Sequence, residues 1–126
     1  MRVLLVGIGG FAGSILRYWL SGFAQGIAPT TSFPWGTLVV NLAGCLVMGV
    51  LIELIEVQGL FGPEAHPLLV VGLLGGFTTF SAFSNETVTA LRNGMTGIAL
   101  TNIVASLFFG LTAIVAGRAI VNCLWR

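Results

Sequence analysis

The most restrictive feature of the chain is a series of four long apolar segments joined by short connectors. The segments cover residues 3–23, 36–55, 67–91 and 95–124, and each is long enough to cross a bilayer as a helix. Isolated strands could not cross, because hydrocarbon offers no partner for their unpaired backbone groups. We therefore predict an all-α integral membrane protein, with one four-helix transmembrane domain over residues 1–126.

The charge content favours the same class of protein. Only 7% of the residues are charged and 56% are hydrophobic, whereas a soluble domain usually has about 25% charged residues. The net charge of +1 is too small for a nucleic-acid surface, so we expect no nucleic-acid partner. Cys45 and Cys123 both lie inside apolar runs, which argues against a disulfide scaffold or a metal cluster.

The arginines give only a weak indication of orientation. Arg2, Arg118 and Arg126 lie on the side of the termini, and Arg17 and Arg92 lie on the opposite side. Three against two is too small a bias to fix one topology. Copies inserted in opposite directions could associate about a two-fold axis in the membrane plane, so an antiparallel, dual-topology homodimer is our hypothesis.

Small residues at helical spacing predict where helices pack closely. They are Gly9 and Gly13 in the first span, Gly72 and Gly76 in the third, and Ser106, Gly110 and Gly117 in the fourth. Such residues allow two membrane helices to approach backbone to backbone. We expect these faces to contact other helices.

The third span combines glycines with hydroxyl side chains near its centre. Gly75 and Gly76 precede Thr78, Thr79 and Ser81. This pattern is typical of a broken helix whose freed backbone groups bind an ion or line a passage. The alternative is a continuous helix in which the hydroxyls bond back to the preceding turn; we favour the break.

Two pairs of side chains are candidates for an ion path. Thr37 and Asn41 are i,i+4 neighbours in the second span, and Phe80 and Phe83 are i,i+3 neighbours in the third. Hydroxyls, an amide and aromatic edges offer hydrogen-bond donors and partial positive charge, which favours an anion. The alternatives are an interhelical hydrogen bond for Asn41 and simple packing for the phenylalanines.

Arg17 and Glu86 are the ionisable residues that lie well within the predicted spans, both toward the side away from the termini. They could form a mutual ion pair or line a vestibule. Snorkelling to the interface is the alternative for each.

Three motifs in order resemble the Fluc, or CrcB, family of bacterial fluoride channels. They are GGFAGSILRY at 9–18, GTLVVNLAGCLVMG at 36–49 and GLLGGFTTFSAFSNE at 72–86. The resemblance covers the whole chain in length, span layout and motif order. It implies a fluoride-selective channel rather than an enzyme, which exports cytoplasmic fluoride passively and protects against fluoride toxicity. It also implies an antiparallel, dual-topology homodimer in the bacterial cytoplasmic (inner) membrane, with two pores that are each built from both subunits.

The resemblance also assigns roles to residues. Asn41 matches the family's pore asparagine, and Phe80 and Phe83 match the two phenylalanines whose edges face fluoride. Further matches are Thr37, Thr79 and Ser81 beside the pore, Gly75 and Thr78 whose carbonyls hold a structural Na⁺ at the dimer centre, and Arg17 and Glu86 in the vestibule.

The fourth span departs from the family pattern. Ser106 keeps its place in a track of polar side chains, but Gly110 and Ile114 stand where hydroxyl residues often occur. Asn102 is a further candidate for this track, and the groups that complete it stay open.

Two other functions are kept as alternatives. A small dual-topology, proton-coupled multidrug exporter would need a central carboxylate, whereas the first span has none and Glu86 lies off-centre. A non-transporting membrane assembly subunit would use its glycine faces only to bind partner helices.

Overall fold

The computed structural model describes residues 1–29 and 32–125, which contain helices and no strands. Arg126, one of the arginines in the charge tally, lies outside the described residues. In chain order the elements are α1 (Arg2–Ile27), α2 (Trp35–Ile52), a π-helical segment (Glu53–Val57), a second π-helical segment (His66–Leu74), α3 (Gly75–Phe77), α4 (Phe80–Arg92) and α5 (Thr96–Leu124).

Four helical stretches of the described chain are long and apolar enough to cross a membrane. They are Arg2–Ile27, Trp35–Val57, His66–Arg92 and Thr96–Leu124. This confirms the prediction of a multi-pass, all-helical membrane protein. The largest difference in a boundary is at the end of the first span, which was expected at residue 23 and lies at residue 27.

The first span packs against the first half of the third span, residues 66–77. A Cβ atom added to Gly9 would collide with the Leu68 carbonyl oxygen, and one added to Gly13 would collide with the Leu73 carbonyl oxygen. From the other side of the same contact, a Cβ added to Gly72 would lie 2.8 Å from the Val6 carbonyl oxygen. The glycine faces predicted in the first and third spans therefore pack against each other, backbone to backbone.

The second span packs against the fourth in the same manner. A Cβ at Gly49 would collide with the Ile114 carbonyl oxygen, and one at Gly117 would collide with the Leu46 carbonyl oxygen. The tight helix pairs are thus the first with the third and the second with the fourth.

Two sets of polar contacts and one glycine turn define the three connectors. The Gln25 side chain accepts a hydrogen bond from the Gly36 amide at 3.2 Å and donates one to the Phe33 carbonyl at 3.3 Å, which ties the end of α1 to the start of α2. Across the second connector, His66 Nε2 lies 3.4 Å from Glu56 Oε1. The third connector turns at Gly94, whose φ of 74° suits glycine.

Candidate functional site

Two residues in the middle of the third span, Thr78 and Thr79, have extended backbones. Their φ and ψ angles are −86° and 160° at Thr78 and −150° and 112° at Thr79. Regular helix ends at Phe77 and resumes at Phe80. These two residues therefore separate the two halves of the span.

The extended residues redirect two backbone amides. In a continuous helix the Thr79 amide would bond the Gly75 carbonyl, and the Ala82 amide would bond the Thr78 carbonyl. Here the Thr79 amide donates to Asn41 Oδ1 at 2.8 Å, and the Ala82 amide donates to Thr79 Oγ1 at 3.2 Å. The carbonyls of Gly75 and Thr78 thus lose their usual helical donors.

The Asn41 carboxamide binds the backbone of Thr79 through both of its ends. Besides accepting from the Thr79 amide, it donates from Nδ2 to the Thr79 carbonyl at 3.0 Å. The structure therefore shows the interhelical hydrogen bond that was the alternative to a pore role. An amide nitrogen carries two protons, so one N–H of Asn41 remains for another acceptor.

A groove lies beside this contact; we call it the aromatic groove. Its volume is about 290 Å³, and its lining consists of Asn41, Gly44, Cys45, Met48, Thr78, Thr79, Phe80, Phe83, Ser106, Leu107 and Ile114. The ring centroids of Phe80 and Phe83 are 5.6 Å apart, and 78% of Phe80 is exposed. The Ser106 hydroxyl oxygen is buried and has no hydrogen-bond partner among the described residues.

A second depression, the arginine cleft, lies toward the end of the bundle away from the termini. Its volume is about 590 Å³, and it is lined by Ser14, Arg17, Tyr18, Ser21, Gly22, Thr37, Val40, Thr79, Ala82 and Glu86. Thr79 lines both depressions, so the cleft and the aromatic groove lie on either side of this residue.

Glu86 is paired differently from one of our expectations. Thr37 Oγ1 donates to Glu86 Oε1 at 2.6 Å, and Oε2 is buried without a partner among the described residues. In the described part of the chain Arg17 does not come within 4.0 Å of Glu86. The mutual ion pair is therefore wrong, because the hydroxyl of α2 lies closer to the carboxylate than the guanidinium of α1 across the cleft. Both residues nevertheless line the cleft.

Three predicted residues line neither the aromatic groove nor the arginine cleft, and Thr37 lines only the cleft. Ser81 is exposed and its Oγ lies 3.3 Å from Thr79 Oγ1. Gly75 is exposed and has open space where a Cβ would stand. Asn102 is buried and bonds Thr87 on α4 instead.

Sequence reasoning missed several lining residues. Ser14, Tyr18 and Ser21 recur with the predicted Arg17 at the spacing of one helix face, and that periodicity could have predicted the polar wall of the arginine cleft. Cys45 and Met48 follow Asn41 at i+4 and i+7, so the face predicted for Thr37 and Asn41 could also have predicted these two lining residues.

Comparison with known proteins adds to this geometry. A family model described as "CrcB-like protein, Camphor Resistance (CrcB)" matches residues 4–118. The chain belongs to the CrcB family.

Relatives of this CrcB-family chain are similar over nearly its full length. The "Fluoride-specific ion channel FluC 1" of Methanosarcina acetivorans is 46% identical over 116 residues, covering 92% of this chain and 87% of the relative. The "Fluoride-specific ion channel FluC" of Methylobacillus flagellatus is 44% identical over 121 residues, covering 96% and 94%. A protein of the same name from Rhizobium meliloti is 43% identical over 123 residues, covering 98% of each chain. The family resemblance carried by the three motifs is confirmed.

Proposed function

We propose that the chain is a fluoride-selective channel that exports cytoplasmic fluoride passively and protects against fluoride toxicity. The observation that carries this proposal is that Thr79 lines both the aromatic groove and the arginine cleft. Relatives that are 43–46% identical over almost the whole chain and are named fluoride-specific ion channels support the choice of ion.

The lining of the aromatic groove suits a small anion. The free N–H of Asn41 and the unpartnered hydroxyl of Ser106 can replace part of the hydration shell of fluoride. The edges of Phe80 and Phe83 add partial positive charge. No charged side chain is among the described lining residues, so an anion is stabilised without being trapped.

The arginine cleft supplies the charge that the groove lacks. Arg17 attracts anions to a polar wall that includes Thr37 and Thr79. The bond from Thr37 holds one oxygen of Glu86 on the α2 side. The cleft thus forms a polar vestibule beside Thr79, with Arg17 as its positive group and Glu86 held to the α2 side.

Export requires no coupled reaction. An inside-negative membrane potential favours the exit of an anion by about 2.3 kcal/mol per charge for each 100 mV. A passive channel therefore suffices to keep cytoplasmic fluoride low.

We infer that two copies assemble as an antiparallel, dual-topology homodimer in the inner membrane, among its lipids. The three-to-two division of the arginines fixes no single orientation. The aromatic groove is open at its side, where Phe80 is 78% exposed. A second copy seated there would close the groove, so that each of two pores is built from both subunits.

A structural Na⁺ at the dimer centre fits the carbonyls of Gly75 and Thr78. Both carbonyls have lost their helical donors to Asn41 and Thr79, and a hard cation prefers oxygen ligands. Two copies would bring four such carbonyls together, and the bound charge would hold the subunits in register. The ion is not transported, and fluoride flux that required stoichiometric Na⁺ movement would contradict this role.

The function is tested with purified protein in liposomes loaded with potassium fluoride. After addition of a potassium ionophore, a fluoride electrode should record rapid release, and chloride-loaded liposomes should release little. Absence of fluoride release by a folded protein would contradict the proposal and favour the assembly subunit. Proton flux driven by an added drug would instead favour the multidrug exporter.

Topology is tested on a Cys45→Ala variant, in which Cys123 near the end of α5 is the remaining cysteine. Cys123 is exposed. A membrane-impermeant thiol reagent should label it from both faces of the membrane. Labelling from one face alone would contradict the dual topology.

A further inference from the structure

A buried chain of hydrogen bonds joins α5 to α4 behind the aromatic groove. Asn102 Nδ2 donates to Thr87 Oγ1 at 3.0 Å, and Thr87 Oγ1 donates to the Phe83 carbonyl at 2.7 Å. Asn102 is 1% exposed and Thr87 is 7% exposed. Neither residue lines the aromatic groove, whereas Phe83 does.

The direction of these bonds is fixed by chemistry. An amide nitrogen can only donate, so the Thr87 hydroxyl accepts from Asn102. The single proton of the hydroxyl is then left for the Phe83 carbonyl. Hydrogen bonds in a chain strengthen one another in a low dielectric, so Asn102 makes Thr87 a better donor.

The bond to Phe83 affects the shape of α4. In the helix the Phe83 carbonyl is the acceptor for the Thr87 amide, and the hydroxyl adds a second donor to the same oxygen. Such bonds from a threonine to the i−4 carbonyl bend helices. The turn concerned carries the Phe83 ring on one side and Glu86, which bonds Thr37, on another.

We propose that Asn102 and Thr87 are positioning residues that set where the Phe83 ring stands in the fluoride path. They touch no ion themselves. The inference rests on the proposed channel function and extends it to two residues outside the pore lining. A polar residue of the fourth span thereby acts on conduction through the third span.

The test must separate positioning from simple stabilisation. Thr87→Val alone strands the buried Asn102 amide, which destabilises the fold by itself. The double variant Thr87→Val/Asn102→Leu removes both polar partners and leaves neither buried group unpaired, so it should retain the folded dimer. Thr87→Ser keeps the hydroxyl and serves as the conservative variant.

Thr112→Val is the matched control. The Thr112 hydroxyl also bonds the carbonyl four residues earlier, Phe108, at 2.8 Å, but it is exposed on α5 and lines neither the groove nor the cleft. The variant therefore removes the same kind of bond without acting on α4.

The measurement is the fluoride current through single channels in planar bilayers, which does not depend on how many copies fold. The double variant should carry a current reduced by about tenfold, as expected when the geometry of a path is displaced but its groups are kept. Thr87→Ser and Thr112→Val should carry the wild-type current.

A wild-type current in the double variant would overturn the positioning role. If the double variant yields no folded dimer, Asn102→Leu is measured in its place. This variant keeps the Thr87 hydroxyl but removes the donor that directs its proton to the Phe83 carbonyl, so a wild-type current would again overturn the positioning role. A wild-type protein that carries no fluoride current would instead overturn the proposed function, and this inference with it.

Discussion

The two halves of the third span are held by different forces. Residues 66–77 lie against α1 at glycines such as Gly9 and Gly13, where an added Cβ would collide with backbone. Residues 79–92 are connected to their neighbours by side-chain hydrogen bonds: Asn41 on α2 bonds Thr79, Thr37 on α2 bonds Glu86, and Asn102 on α5 bonds Thr87.

Because of this difference, we expect changes in the first half of the third span to affect stability and changes in the second half to affect conduction. Backbone packing is sensitive to added volume and indifferent to charge, so changes in the first half should act on folding. Side-chain hydrogen bonds are sensitive to substitutions that keep the shape but remove a donor. Changes around the second half should therefore act on the ion path with smaller effects on the fold.

The largest expected effect comes from Asn41→Asp. The carboxylate can still accept from the Thr79 amide but cannot donate to the Thr79 carbonyl, and it places a negative charge in the aromatic groove. Two like charges about 4 Å apart repel by about 4 kcal/mol at an effective dielectric of 20, which lowers the rate about a thousandfold. Liposome efflux should be abolished while gel filtration still shows the same folded species as the wild type.

Asn93→Asp makes the same charge change at an exposed residue after α4 and should conduct normally. Wild-type efflux by Asn41→Asp would remove Asn41 from the pathway.

The next effect is on folding and comes from Gly13→Ala. The new Cβ would collide with the Leu73 carbonyl oxygen and stand 2.8 Å from the Phe77 amide nitrogen, and backbone atoms cannot move aside. Overpacking of this kind costs about 1–3 kcal/mol. Heating in detergent followed by gel filtration should show loss of the folded species at a lower temperature.

Gly7→Ala is the control on the same helix, because nothing lies within 4 Å of its added Cβ. Equal stability of Gly13→Ala and Gly7→Ala would show that backbone packing against α1 does not hold the first half of the third span.

A smaller effect, on conduction, is expected for Phe80→Ile and Phe83→Ile. Isoleucine keeps apolar bulk but lacks the positive ring edge. Each should lower fluoride efflux by about tenfold, the equivalent of about 1.4 kcal/mol in the barrier. Phe109→Ile, on an exposed part of α5, should leave efflux unchanged. If all three variants conduct alike, the aromatic edges do not contribute to the path.

The smallest effect is expected for Thr37→Val, which removes the hydrogen bond to Glu86 and keeps the side-chain shape. Interhelical hydrogen bonds in membrane proteins contribute about 0.6 kcal/mol on average. The thermal midpoint should therefore fall less than for Gly13→Ala. Thr37→Ser should restore it, and a loss as large as that of Gly13→Ala would show that polar bonds, too, determine folding.

The sequence alone predicts the parts of the structure that the bilayer dictates. Hydrocarbon thickness sets the length of each span, so the apolar segments give the helix bounds closely. The glycine and hydroxyl cluster also marks the segment in which Thr78 and Thr79 are extended. Glycine spacing predicts which faces pack but not which helices meet.

The remaining details depend on how each helix is rotated about its axis. Sequence places Arg17 and Glu86 at a similar depth, but not on facing sides, and the carboxylate bonds Thr37 instead. The partner of Asn41 is a backbone that becomes available only because the third span departs from helix at Thr79. Asn102 is a polar residue of the kind expected in a pore lining, but its side chain bonds Thr87 on α4 instead.

The pairing of the first span with the third, and of the second with the fourth, has a consequence for the order of synthesis. A chain is synthesised from its amino end. The first and second spans therefore each lie in the bilayer without their tight partner while one other span is made. During that interval Gly49 of α2 lacks the backbone neighbour that it gains only when α5 has been inserted. A nascent chain released before α5 is inserted would therefore leave this face of α2 without its helix partner, so the fourth span is the one that completes this tight pair.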